Sequence, residues 1–245
     1  MIEHIKDLAE RCYRQNIYTF SGFLTMAEQA EILAAERELS FVPFEFFGGT
    51  DGCERQMVRF GSEETLGYAE EFPINCIVVS PLIRKFADGL SHRDFLGALM
   101  NLGINRDVLG DIIVKDNCGY IFCEGKMSDY IKENLTQIKH TSVKCEIAGK
   151  CPENARPQFE GMELVTASER CDAIISKLFN LSRSQSIELF RGKCIFVDGR
   201  LMENNSALLK NGAVVSVRGY GKFIFDGMTA GTRKGKIRVT VRKYI

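Results

Sequence analysis

The stretch from Ser182 to Phe225 constrains this chain more than any other, because its turn chemistry leaves one local arrangement open. Ser182 followed by Gln185 is an S-x-x-Q capping box and fixes a helix start. Leu189 and Phe190, with Ile187 at the margin, give that helix an apolar arc, with Ser184, Glu188 and Arg191 on the other side. Gly192 ends it. Cys194-Ile195-Phe196-Val197 then reads as a strand, and Asp198-Gly199 as a two-residue hairpin turn in which both residues accept positive φ. Arg200-Leu201-Met202 returns, and Asn211-Gly212 turns again before Val214 to Arg218. A helix, a hairpin and a further strand are thus predicted within about 45 residues.

Several spaced parts of this stretch resemble the S4 domain, a small RNA-binding module. They are Ser182-Arg183-Ser184 at the helix start, Gly192-Lys193 at its end, Val197-Asp198-Gly199 in the hairpin, and Lys210 to Val217. The preceding segment, from Arg170-Cys171-Asp172 to about Phe179, is similar to the family's first helix. Asp198 departs from the family, which usually carries Asn there. The resemblance implies an S4 domain over 169–245 that binds structured RNA.

Charge agrees with that expectation. The chain has 32 Lys/Arg and 32 Asp/Glu, so its formal net charge is zero. From Leu181 to Ile245 there are 13 cations and 4 carboxylates, an excess of +9, which leaves −9 on the first 180 residues. Such a division predicts an anion-binding tail on an acidic body. Apolar residues make up 45% of the chain, and no run reaches membrane-spanning length. The charged opening MIEHIKDLAERCYRQ is no signal peptide. Nine scattered cysteines without a C-x-x-C pair read as reduced, buried thiols of a cytoplasmic protein rather than a zinc site or a disulfide framework. No metal or other cofactor is expected.

Residues 1 to about 40 read as helical. Ile2, Ile5, Leu8 and Cys12 share one face, and Thr25 with Glu28 forms a capping box before a second helix. Phe41 to Phe47 is a strand candidate. Gly48-Gly49-Thr50-Asp51-Gly52 after it lacks the Lys and Ser/Thr of a P-loop, so it is read as a turn needing positive φ. Residues 73–148 alternate as strand Ile74–Ser80, helix Ser91–Leu102, strands Asp111–Lys115 and Gly119–Cys123, helix Ser128–Ile138, and strand Ser142–Ile147. That is the order of a split βαβ, or RRM-like, domain. RRMs stack bases on third-strand aromatics. Here Tyr120 and Phe122 share that face, but Cys118 stands where a cation is expected and the surroundings are acidic. The face is therefore read as packed against a neighbouring domain. Residues 149–168 read as a connector, with Phe159 to Thr166 as a further strand candidate. In the last strand, Ile237, Val239 and Val241 should point inward, and Lys236, Arg238, Thr240 and Arg242 outward.

The densest signature runs from Ser91-His92-Arg93-Asp94-Phe95 to Leu102-Gly103-Ile104, then Arg106 and Gly110-Asp111-Ile112. With Gly48-Gly49, Glu54-Arg55 and Arg218-Gly219-Tyr220-Gly221-Lys222, it resembles the YlmH-type bacterial S4-domain proteins, related to the plastid photosystem II S4 domain proteins. That family is linked to large ribosomal subunits obstructed by peptidyl-tRNA, in ribosome-associated quality control, and is encoded near cell-division genes. The resemblance implies an α+β chain: a helical or mixed region over 1–72, an RRM-like domain over 73–148, and the S4 domain after the connector. It also implies rRNA, tRNA and the large subunit as partners, with the acidic body available to proteins, and neither membrane nor DNA.

The candidate RNA-binding residues are Ser182, Arg183, Ser184, Gln185, Arg191, Lys193, Arg200, Arg218, Tyr220, Lys222, Arg233, Lys234 and Arg238. Cations there would neutralise phosphates, and Tyr220, between two glycines, either stacks on a base or packs on the hairpin. No catalytic residue is expected. His92, Arg93 and Asp94 are adjacent on a helix and do not converge on one atom, so Asp94 is read as a cap. Gly199-Arg200-Leu201 is followed by Met202, not the Asp of a pseudouridine synthase. Lys126-Met127-Ser128 is followed by Asp129, not the rest of a synthetase KMSKS loop. A methyltransferase's Gly-rich strand-to-helix turn is not found. The alternative function is an RNA-modifying enzyme, of pseudouridine synthase or methyltransferase type, that uses the S4 domain to hold its substrate.

Overall fold

A computed structural model describes residues 1–148, 152–153, 156–231 and 235–245. The chain divides into two compact units, Met1–Pro157 and Gln158–Ile245.

The first unit opens with α1 (Ile2–Gln15), β1 (Thr19–Phe20) and α2 (Met26–Ala34). Ile5, Leu8, Ala9 and Cys12 form the buried face of α1. The Thr25–Glu28 box closes: Thr25 Oγ1 accepts from the Glu28 N–H, and Glu28 Oε2 accepts from the Thr25 N–H at 2.7 Å. The helical reading of residues 1–40 is interrupted by β1, which pairs with β3. β2 (Phe44–Phe47) starts only after Pro43, three residues later than expected, and β3 (Met57–Phe60) completes a sheet of order β1-β3-β2. A short α3 (Glu63–Leu66) follows.

The second half of this unit contains β4 (Ile74–Pro81), α4 (His92–Asn101), β5 (Leu109–Lys115), β6 (Cys118–Glu124), α5 (Ser128–Asn134), β7 (Gln137–Ile138) and β8 (Thr141–Ala148). Its sheet has the order β5-β6-β4-β8-β7 with antiparallel neighbours throughout, as a split βαβ arrangement requires. The helix expected to reach Ile138 stops at Asn134. The chain turns at Lys139, whose φ is +52°, so that Gln137–Ile138 pairs back onto β8 and Ile138 is buried. Pairing with an edge strand here wins over helix propagation.

One face of this sheet packs on α4 and α5 around Phe95, Leu99, Ile121 and Ile131. The other face carries Tyr120 and Phe122, and Phe23, Cys53, Met57 and Phe72 cover it. Phe122 is 1% exposed, and its burial contributes about 2–3 kcal/mol. The Gly-rich loop belongs to this seal. Gly49 has φ +101°, and a Cβ there would lie 2.3 Å from the Phe122 ring. The seal is riveted by two arginines. Arg55 donates from Nε to the Leu109 carbonyl (2.9 Å) and from Nη2 to the carbonyls of Phe23 (2.7 Å) and Arg106 (3.0 Å). Arg106 donates from Nη1 to the carbonyls of Leu109 and Gly110 at 2.8 and 2.9 Å. The Asp111 carboxylate accepts from the N–H groups of Glu54 and Arg55. Burial lowers both guanidinium pKa values, that of Arg106 to about 10, so both stay charged at neutral pH.

The second unit starts earlier than a connector over 149–168 would have it. β9 (Phe159–Thr166) pairs along its whole length with the C-terminal strand, because Met162, Leu164 and Thr166 alternate inward. Then come α6 (Cys171–Leu178), α7 (Arg183–Arg191), β10 (Ile195–Val197), β11 (Arg200–Leu201), β12 (Val214–Val217), β13 (Gly221–Gly231) and β14 (Ile237–Tyr244). The sheet order is β11-β10-β12-β13-β14-β9. The two helices pack on one face over Val215, Val217, Phe223, Phe225, Val239 and Val241. The expected alternation of β14 is observed, with Val239 and Val241 fully buried and Arg238 and Arg242 exposed.

Candidate nucleic-acid interface

The local signals of this unit form as their residue types require. Ser182 Oγ accepts from the Gln185 N–H, and Gln185 Oε1 accepts from the Ser182 N–H at 2.9 Å. Asp198 and Gly199 take φ of +49° and +73°, and the Asp198 carboxylate also accepts from the Val214 N–H at 2.9 Å. The acidic departure at 198 thus pins β12 to the hairpin. The left-handed residue at the end of α7 is Lys193 (φ +53°), while Gly192 stays at φ −75°. Gly192 is small for another reason: a Cβ would sit 3.2 Å from the Glu188 carbonyl oxygen.

The described candidate residues fall in three places. Ser182, Arg183, Ser184 and Gln185 are exposed at the start of α7, where helix-end N–H groups and the dipole favour an anion. Arg183 lines an open groove of about 540 Å³ together with Arg170, Lys177, Asn180, Ser168 and Thr166. Arg170 and Lys177 are cations absent from the sequence-based set; their signal was the similarity of 170–179 to the first S4 helix. Arg170 makes a two-pronged pair with Asp172, at 3.0 and 2.7 Å, and that hydrogen bonding raises its pKa. Asp172 is itself buried and accepts from Asn205 as well, so the Arg170 fork is held in one orientation at the groove wall.

The second place is the hairpin corner. Lys193 lies 3.9 Å from Glu203, Arg191 pairs with Glu188, and Arg200 is exposed on β11. The Arg218 N–H donates to the Cys194 carbonyl, which brings Arg218 to the same corner. Tyr220 packs its ring 5.7 Å from that of Phe179 yet remains 43% exposed. The third place is the sheet face away from the helices, which holds Lys222 and, on β14, Arg238. Arg238 pairs with Glu163, and Arg242 makes a two-pronged pair with Asp226. The last strand therefore presents compensated cations where a row of open ones was expected. Arg233 and Lys234 lie outside the described residues.

In the first unit, Asp94 is a cap. It accepts from the N–H and Oγ of Ser91 and pairs with Lys139 at 2.8 Å, and these interactions hold its carboxyl at a pKa of about 2. Burial pushes the thiols of Cys123 and Cys171 up to about 12 and that of Cys145 up to about 11, which suits inert core thiols. No helix among the described residues is long and apolar enough to cross a membrane.

Comparison with known proteins gives the following likenesses. Residues 68–149 match the family described as "Putative RNA-binding domain in YlmH". The chain is 26% identical over 242 residues to "Ribosome-associated protein quality control protein P2" of Bacillus subtilis (strain 168), covering 97% of this chain and 91% of the relative. The solved "Cell division protein ylmH from Streptococcus pneumoniae" is 18% identical, with a TM-score of 0.49, over 60% of this chain and 88% of its own. The chain thus carries that family's RNA-binding domain over residues 68–149 and is similar along nearly all of its length to a relative named for ribosome-associated quality control.

Proposed function

We propose that the chain is a non-enzymatic binder of structured RNA that acts on the large ribosomal subunit in ribosome-associated quality control. In this reading Gln158–Ile245 is an S4 domain that grips rRNA and tRNA. The observation that carries it is the placement of charge and aromatic surface in the two units. Gln158–Ile245 holds 15 Lys/Arg against 8 Asp/Glu, and the groove with Arg170, Lys177 and Arg183 opens on its helical side. The first unit is acidic, and the sheet face on which an RRM stacks bases is closed by Phe23, Met57 and Phe72. Phosphate neutralisation by the basic unit would supply affinity, and RNA shape and 2′-hydroxyls selectivity. The acidic unit is left to position the grip or to meet proteins, in the cytoplasm. The similarity to a relative named for ribosome-associated quality control supports the ribosomal setting.

The test is co-sedimentation. A variant with Arg183, Lys193, Arg218 and Lys222 all changed to Ala should melt like wild type and leave the ribosomal fractions of a sucrose gradient. Wild-type co-sedimentation with large subunits would contradict the placement of the RNA face. Crosslinking and sequencing of the bound RNA would identify the target. Loss of a modified nucleotide from rRNA or tRNA in a deletion strain would favour an enzyme instead.

A further inference from the structure

The sheet face of Gln158–Ile245 that the helices leave uncovered carries a second arrangement, built on cross-strand register. Phe196 of β10 is opposite Ser216 of β12, and Ser216 is opposite Lys222 of β13. Phe223 pairs with Lys243, so Lys222 adjoins Tyr244 of β14, and Tyr244 is opposite Phe159 of β9. Rings and cations therefore share one row across five strands, about 19 Å long at about 4.8 Å per strand. All three rings are half-buried, so each keeps an accessible part.

Each ring in the row bears a cation. Arg218 lies over Phe196 at 4.6 Å, Lys222 over Tyr244 at 5.5 Å, and Arg242 over Phe159 at 5.4 Å. A fourth pair, Lys243 at 6.0 Å over Phe179, lies on the opposite, helix-covered face and is not part of the row. Such pairs occur about once per 70–80 residues in folded proteins. Three in one row, on one face of one unit, mark a surface where planar apolar groups and positive charge are interleaved.

Tyr244 and Phe159 also meet edge to face, with centroids 4.7 Å apart, which holds both rings in place. Two carboxylates near the row are engaged at its β14 side, Asp226 with Arg242 and Glu163 with Arg238. Arg218 and Lys222 place further positive charge at the β10 end and in the middle of the row.

We infer that this row is a stacking platform for an unpaired RNA segment, a second binding surface separate from the groove beside α6 and α7. Unpaired bases have open faces that stack on aromatic rings or on an arginine plane, while Lys222 and Arg218 neutralise the strand's phosphates. At about 3.4 Å per stacked base, the row has room for several nucleotides. A duplex hides its base faces and would benefit from the platform only through charge. The inference rests on the proposed RNA binding, and adds that the two surfaces of the unit prefer different RNA.

The test uses the full-length chain and two fluorescent probes, a short oligo(U) strand and an RNA hairpin with a long stem, read by anisotropy. The variant carries Phe159→Leu and Tyr244→Leu, which keep apolar bulk and remove the rings. A second variant, Lys222→Gln, spares both rings and guards against misfolding. The expected result is a loss of oligo(U) affinity of about fivefold or more per ring, with the hairpin affinity of the ring variant changed by less than about twofold, and a several-fold loss of oligo(U) affinity for Lys222→Gln. Oligo(U) binding that both variants leave intact overturns the platform. So does a wild-type protein that binds the hairpin but not oligo(U), which leaves the proposed function standing. Failure of both probes overturns that function and the platform with it. If a poly-glutamate peptide binds in place of oligo(U), and loses binding with the same substitutions, the face takes an acidic protein and the platform is overturned.

Discussion

Removing the Arg55 side chain is the sharpest test of the structural role given to the family signature in the first unit. Its guanidinium makes three hydrogen bonds to backbone carbonyls at positions 23, 106 and 109. Hydrogen bonds to a charged group contribute about 1.5–3 kcal/mol each. The site is only partly buried, so water offsets part of the cost in an Arg55→Ala variant. A net cost of about 3–5 kcal/mol remains, a large fraction of the roughly 5–15 kcal/mol typical of a domain. With a urea m-value of about 2.5 kcal/mol/M, the midpoint of the first unit should fall by about 1–2 M. Arg55→Lys should recover only part of this, because an ammonium cannot span three carbonyls as the fork does. Urea melts followed by far-ultraviolet circular dichroism read the change directly. A destabilisation below about 1 kcal/mol would refute the rivet and reopen Arg55 as a functional residue.

Gly49→Ala should lower the melting temperature strongly, since the new Cβ meets the Phe122 ring at a φ of +101°. Gly219→Ala, at φ +86° with open space around it, should cost only about 1 kcal/mol of backbone strain. A fragment beginning at Gln158 should fold and bind RNA alone, whereas one beginning at Arg170 lacks β9, leaves the β14 edge unpaired, and should aggregate or melt earlier in light-scattering and thermal scans. Asp94→Asn should destabilise the protein at neutral pH. The depressed carboxyl contributes stability that is present above 3.8 and lost as pH falls toward about 2, so the gap from wild type in a stability-versus-pH series should close over that window.

What the sequence discloses here is what short range decides. The boxes at Thr25–Glu28 and Ser182–Gln185 and the turn at Asp198-Gly199 are set by residues within three positions of each other, and all form. The strand and helix order of 73–148 follows from periodicity, and the acidic setting of Tyr120 and Phe122 points to the packed face that is observed. What covers that face does not follow, because Phe23, Met57 and Phe72 come from distant parts of the chain. Arg55 is polar and looks like a surface or site residue until its partners 32 to 54 positions away are known. Arg238 and Arg242 read as open cations, since Glu163 and Asp226 reach them only through the pairing of β9, β13 and β14. The row Phe196, Lys222, Tyr244 and Phe159 likewise exists only once five strands are in register.

The central claim, that the basic unit grips RNA through phosphates, is tested most directly by the salt dependence of binding. Wild-type affinity for an rRNA fragment should fall linearly on a log–log plot against salt. Changing Arg183, Lys193, Arg218 and Lys222 to Ala should flatten that slope by about 0.7–0.9 for each phosphate no longer neutralised, or about 3 if all four cations engage. A wild-type affinity insensitive to salt, or a fourfold variant with unchanged slope and affinity, would contradict it.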